Sequence, residues 1–520
     1  MLHRTRREVL KDVGRGMFLA SLGTSVAADI GLGTAFAADE PGHLTFGDLE
    51  PLVMFMQDTH PDKLLPRVVE KLQNGTDLKQ LVAAASLANA RAFGGEDYIG
   101  FHTLMALAPA FHMANEESDP KRKPLAVLKV LSRNSNRLFA TNFRGDHTLK
   151  PLPPTASAPV PNAERLRDQV RERNLGGAEQ TFAALSNGSP DDALSALMVM
   201  VDDVTEVHRI VLVSRAWDLI NFVGKERAHT MLRQSVHYCV KAEGNQNYVK
   251  QFSEIRTLLP QLLDQFKLIG RTLGSRPVDE AWIAKFSETL FTVKPAQAAE
   301  AVAAALAEGQ TLDSIGESIL LAANQLVLRD EGRPANQTSA NKGVGSIHGD
   351  SIGVHACDSA HAWRNIAHNG DQRTQVSSLI LAGYQVAKDR LERGGNFANW
   401  QPYPRSEHLE KVKSISPESL MKELDGAIRE TNQARAAALV YRLGVEKHDA
   451  KDVFDLLRRY AVSEDGALHT EKYFRTATDD FNASRPAFKW RQLIALARVT
   501  ASECGQPAPG YQEACALLKV

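Results

Sequence analysis

Leu72-Gln73-Asn74-Gly75-Thr76-Asp77-Leu78 and Leu306-Ala307-Glu308-Gly309-Gln310-Thr311-Leu312 read as two versions of one unit. Each is followed by an Ala-rich helical stretch, in which Leu87-Ala88-Asn89 matches Leu321-Ala322-Ala323. Each then reaches a helix start of the form Ile-Gly-x-His, at Ile99-Gly100-Phe101-His102 and at Ile352-Gly353-Val354-His355. The offset between the copies grows from 234 to 253 residues because the second carries a longer loop at 329–350. A looser pair is Met231-Leu232-Arg233 with Leu456-Leu457-Arg458. Repetition at this scale points to two similar multi-helix halves packed as one array. Ala-rich helices also resemble one another by composition alone, so that alternative stands beside it.

Outward from these segments the texture stays helical. Apolar residues recur at spacings of three and four, and alternating Val/Ile/Thr runs bounded by turns are scarce. The expectation is an all-α fold, with helices that include 77–92, 97–115, 190–222, 225–242, 248–268, 311–328, 351–368, 371–394, 469–482 and 487–503. Pro-rich 145–162 reads as an extended linker, and Gly/Asn/Ser-rich 329–350 as a loop over the surface. The divisions expected are a leader at 1–37, a first half at 38–144, the linker, a helical segment at 163–295 and a second half at 296–520.

The leader rests on Thr5-Arg6-Arg7-Glu8-Val9-Leu10-Lys11. Paired arginines in a basic head, a modestly apolar Gly/Ala-rich stretch from Gly16 to Phe36 and a small-x-small site at Ala35-Phe36-Ala37 together look like a twin-arginine signal. That route resembles one used by proteins exported already folded. It implies the twin-arginine machinery as a partner and a periplasmic or secreted destination. Asp29 interrupts the only candidate span, which favours cleavage over a stable membrane anchor.

The chain has 520 residues, 43% hydrophobic and 24% charged, with a formal net charge of −1. No basic surplus argues for nucleic acid. Four cysteines are too few for a disulfide scaffold of this length. Cys504 and Cys515 flank a turn-rich segment and are a candidate tail bridge, whereas Cys239 and Cys357 lie in apolar surroundings. The absence of Cys-x-x-Cys-His excludes covalent c-type haem.

The histidines hold most of the chemistry. His102 and His355 occupy equivalent positions in the two copies, which would bring them together across a pseudo-two-fold interface. In 352–367 the apolar face is Ile352, Ala356, Ala360, Trp363, Ile366 and Ala367, with His355 at its edge and His361 and Arg364 on the other face. A buried imidazole needs a carbonyl, a carboxylate or a metal for its two nitrogens. His208, within Asp202-Asp203-Val204-Thr205-Glu206-Val207-His208-Arg209, is a third candidate. The expected metal ligands are therefore His102, His355 and His208. His469 and Lys472 share a helix face, where a capped helix start competes with a site. Sharper motifs fail. Glu226-Arg227-Ala228-His229 has no second copy for a di-iron bundle, and Gly343-Val344-Gly345-Ser346-Ile347-His348-Gly349 has the wrong spacing for a dinucleotide fold.

Phe101-His102-x-Leu104-x-x-x-Ala108-x-Ala110 and His355-x-x-x-x-x-His361-Ala362-x-Arg364 resemble helical motifs of the questin oxidase-like proteins. The resemblance covers two short segments and implies a largely helical fold with oxidative ring opening of polyketide-type aromatics, NADPH being implicated. An export leader departs from that pattern and puts a cytosolic NADPH supply in question. What carries over is His102, His355, His361 and Arg364 as site residues. His355, His361 and Arg364 are the expected catalytic groups, acting in acid/base roles or holding an anionic or carbonyl oxygen. The expectation is thus an exported oxidoreductase-like enzyme with a His-lined pocket that holds a metal or cofactor. The alternative is a non-catalytic helical-repeat scaffold or binding protein of the periplasm, whose concave surface binds a protein or glycan.

Overall fold

The structure is a computed structural model that describes residues 42–140, 147–152, 162–340 and 342–520. The leader at 1–37 lies outside the described residues. Among those described, helix follows helix from Gly47 to Leu518, and pairing of extended chain is limited to three isolated bridges. The all-α expectation holds. The helices that matter for the site and its supports are α1 (Leu78–Phe93), α2 (Tyr98–Glu116), α3 (Leu125–Ala140), α4 (Val207–Val223), α5 (Ala228–Glu243), α6 (Leu312–Arg329), α7 (Ile352–Asn369), α8 (Gln433–Val445), α9 (Ala450–Ser463), α10 (His469–Ala483) and α11 (Trp490–Glu503). None of the described helices is long and apolar enough to cross a membrane.

Most of the buried apolar residues form one cluster that runs from Phe46 to Ala514. At its centre α2, α4, α7 and α10 pack in a closed ring, α2 on α4, α4 on α7, α7 on α10 and α10 on α2. Close approach requires small residues. A Cβ at Gly100 would lie 2.6 Å from the Phe93 ring, and one at Gly353 would lie 2.7 Å from the Val327 backbone nitrogen. Glycine at these two positions lets α2 lie against the end of α1 and α7 against the end of α6.

Several boundaries differ from the pattern-based expectation, each for a local reason. The helix expected over 190–222 breaks into Pro190–Val201, closed at Asp202, and α4, whose start Glu206 caps from extended backbone through the His208 and Arg209 amides, both at 3.1 Å. The stretch 248–268 likewise divides into Gln246–Phe252 and Ile255–Gln265. Helix α3 is additional to the expected helices. Its Asn- and Ser-containing second half hides the pattern, yet Leu125, Leu128, Leu131 and Leu138 are all buried. In the Pro-rich segment Leu149 is buried, and the Thr148 and Leu149 amides bond back to the Ala92 and Arg91 carbonyls. The 329–350 loop does not simply run over the surface, since Ser346, Ile347 and His348 are buried. All four cysteines are free, so no Cys504–Cys515 bridge is formed.

Candidate functional site: a ring of four histidines

Each helix of the central ring brings one histidine to the same end of the bundle, and each does so within its first two turns. These are His102 in α2, His208 in α4, His355 in α7 and His469 in α10. Local caps set each start. Asp97 accepts from the Gly100 amide at 2.7 Å and is gripped by Arg137, whose Nε lies 2.8 Å from it. Glu206 caps α4, and Ser351 accepts from the Val354 amide at 3.4 Å. Helix α10 lacks a side-chain cap. Its entry is set by left-handed backbone at Ala467 (φ 51°) and Leu468 (φ 68°).

The rings meet around a closed circuit. Centroids are 4.9 Å apart for His102–His208, 5.7 Å for His208–His355, 5.3 Å for His355–His469 and 5.0 Å for His469–His102. The outer nitrogens of two members are held. His102 Nδ1 pairs with the Tyr98 carbonyl at 2.7 Å, and His208 Nδ1 pairs with the Glu206 carboxylate at 2.7 Å. The Tyr238 hydroxyl donates to the same Glu206 at 2.8 Å. Five of the other six nitrogens are not held. His102 Nε2, His208 Nε2, His355 Nε2 and both nitrogens of His469 are buried without a hydrogen-bond partner. An orphaned buried imidazole nitrogen is costly, and five in one cluster is a strong departure from ordinary satisfaction.

The surroundings keep three of these rings, His102, His355 and His469, neutral. Burial first, and then the positive charge of Lys472 and neighbouring histidines, holds His102 and His469 well below the ordinary imidazole range. His355 is brought down to about 3 by burial and by His208 and Lys472. Positive helix ends act in the same direction. Neutral imidazole is the form that binds metal. Burial lowers Lys472 to about 8, although Asp358 pulls it up. Burial alone would raise Glu206, but the His208 charge and its hydrogen bonds outweigh that and bring the carboxyl down to about 2.

The donor set is all nitrogen, which suits zinc, copper, iron or nickel. Imidazoles bound to one ion at about 2.0–2.1 Å with tetrahedral angles place their ring centroids about 5 Å apart. The circuit matches that spacing. The nitrogens themselves do not converge on one point, for among the described residues no three His, Cys, Asp or Glu side chains are arranged to hold an ion. Two of the four ring contacts, His102–His208 and His208–His355, are edge to face, and the other two are tilted. The two held Nδ1 atoms are the outer contacts that metal-binding histidines commonly make, one to a carboxylate and one to a carbonyl.

The structure thus unites His102, His208 and His355, and adds His469. His361 and Arg364 do not join them. His361 is buried, with Nδ1 2.7 Å from Asp480 Oδ1 and Nε2 2.9 Å from Asn365 Nδ2. Arg364 turns toward Asp313, 3.4 Å away, and its side chain passes 3.1 Å from where a Cβ on Gly316 would be. These two lie away from His355 on α7 and tie helices together, His361 to Asp480 of α10 and Arg364 to Asp313 of α6. His469 is visible in sequence only as a histidine at a helix start, a feature it shares with the other three. Comparison of the chain with models of known protein families, with characterised proteins and with solved structures finds no match.

Proposed function

We propose that His102, His208, His355 and His469 hold one transition-metal ion, and that the chain is an exported oxidoreductase-like enzyme acting at that ion. The observation that carries this reading is the set of unpartnered buried nitrogens on four rings at ligand spacing. Bound there, the ion would supply redox or Lewis-acid chemistry. Glu206 orients His208, the Tyr98 carbonyl orients His102, and Lys472 places a cation beside the ligands. Tyr98, 59% exposed, stands over His102 with centroids 4.4 Å apart and marks the solvent side from which a small molecule enters. The likeness around His102 and His355 to questin oxidase-like proteins supports an oxidative reaction. A twin-arginine leader suits a protein whose ion is inserted before export.

The test is elemental analysis of protein purified after export from a host that runs the twin-arginine route. About one equivalent of a first-row metal is expected in the wild type. His355→Ala and His469→Ala should lose it while keeping the helical circular-dichroism signal. A wild type free of metal after growth with zinc, copper and iron would leave the non-catalytic scaffold as the better reading.

A further inference from the structure

A pocket of about 870 Å³ opens on the surface between α8, α9, α10 and α11, away from the histidines. Phe481 and His469 share α10 but stand twelve residues apart, about 18 Å of helix rise. The floor of the pocket is aromatic. The Phe454 ring meets Phe481 edge-on at 5.2 Å, and the Trp490 indole meets it at 6.1 Å. The indole has room because position 444 is glycine, where a Cβ would lie 2.7 Å from the Trp490 ring. Phe454 and Trp490 are only half-buried, so their faces are open to the pocket.

The charges on the rim are not balanced in place. Asp455 is shared by Lys451 at 2.5 Å and Arg458 at 2.9 Å. Glu116 faces Arg475 at 3.3 Å, and Asp449 caps α9 through the Lys451 amide at 2.9 Å. Lys447 and Lys489 are left without a carboxylate among the described residues. Lys489 holds its ammonium 4.3 Å from the Phe481 centroid, already committed to the aromatic floor.

We infer that this pocket is a second binding site, for a flat aromatic carboxylate or related aromatic anion. Its rings lie on Phe454 and Trp490, which Phe481 backs, and its acid group meets Lys447 and Lys489. The volume suits a molecule of two or three fused rings. Apolar faces alone do not select a charged ligand. The two uncompensated lysines do, and one of them also presents a cation to a bound ring.

The probe is 2-naphthoate, with 2-naphthamide as its neutral counterpart, titrated by calorimetry into the full chain. Naphthoate is expected to bind one to one and to quench Trp490 fluorescence, and naphthamide to bind about tenfold more weakly. Lys447→Asn combined with Lys489→Gln should remove that preference, and Phe481→Leu should weaken both probes. His469→Ala, which empties the histidine ring, should bind naphthoate as the wild type does, so this site stands or falls apart from the metal reading. Absence of naphthoate binding, equal affinity for both probes, or a preference that survives the double substitution would overturn the assignment.

Discussion

Glu206 is the residue on which most of the local chemistry turns. It caps α4, fixes His208 and accepts from Tyr238. A carboxylate behind a metal-bound imidazole raises the basicity of the ligand and fixes its tautomer. Glu206→Gln keeps the shape and removes the charge. Metal affinity, measured by competition with a chelator, is expected to fall about 10- to 100-fold. Unchanged affinity would mean that Glu206 is a helix cap and nothing more. This role is partly legible in the sequence, where an acidic run precedes His208. His469 is harder to see. Its entry into the ring depends on left-handed turns at Ala467 and Leu468, and neither residue type announces that conformation.

At the scale of elements, α3 and α10 are joined by a buried ion pair. Lys129 Nζ lies 2.7 Å from Glu471 Oε1, and the two side chains are 1% and 0% exposed. The ammonium also donates to the Ala461 and Glu464 carbonyls at 2.8 and 2.7 Å. Charges so deep are favourable only when both are present. Lys129→Met is expected to cost about 3–5 kcal/mol in chemical denaturation, and Lys129→Met with Glu471→Leu to recover most of that loss. If the double variant is no better than the single one, the pair is not what leaves the charge stranded. Helix α3 shows why elements of this kind escape pattern reading. Lys129 sits on its buried face, so the apolar stripe is interrupted where tertiary pairing takes over. The ring of α2, α4, α7 and α10 is legible only in part. The matching Ile-Gly-x-His starts bring α2 and α7 forward, while α4 is hidden inside an expected longer helix.

For the whole molecule, the buried histidines set the pH response. Burial first, aided by nearby cations, holds His102 and His469 well below the ordinary value, His355 at about 3 and His229 at about 4. The unfolded chain protonates them below about 6.5, whereas the folded metal-free protein leaves them neutral. The unfolded state therefore binds more protons in that window, and stability falls as pH drops. Glu503, pushed up to about 7 by burial, and Asp389, raised by burial and Glu392, act the other way, since each keeps a proton in the folded state. Glu116, Asp202, Glu317, Asp330 and Asp358, raised by burial, and His237, raised against burial by its bonds to Glu179 and Glu96, also act the other way. A carboxyl's ordinary range lies below this window, however, whereas an unfolded imidazole takes up most of its proton within it. Chelator-treated protein is expected to melt at a lower temperature at pH 5 than at pH 7 in differential scanning calorimetry. A higher melting temperature at pH 5 would contradict the neutral cluster.

X-ray absorption at the metal edge of the purified full chain tests the central claim most directly. The expected spectrum shows a first shell of about four nitrogens, at about 2.0–2.1 Å for zinc, with the outer-shell scattering of imidazole rings. Substituting any one of the four histidines should remove an imidazole from that shell. A shell of oxygen or sulfur, or an imidazole count unmoved by these substitutions, would contradict a metal held by the ring of His102, His208, His355 and His469.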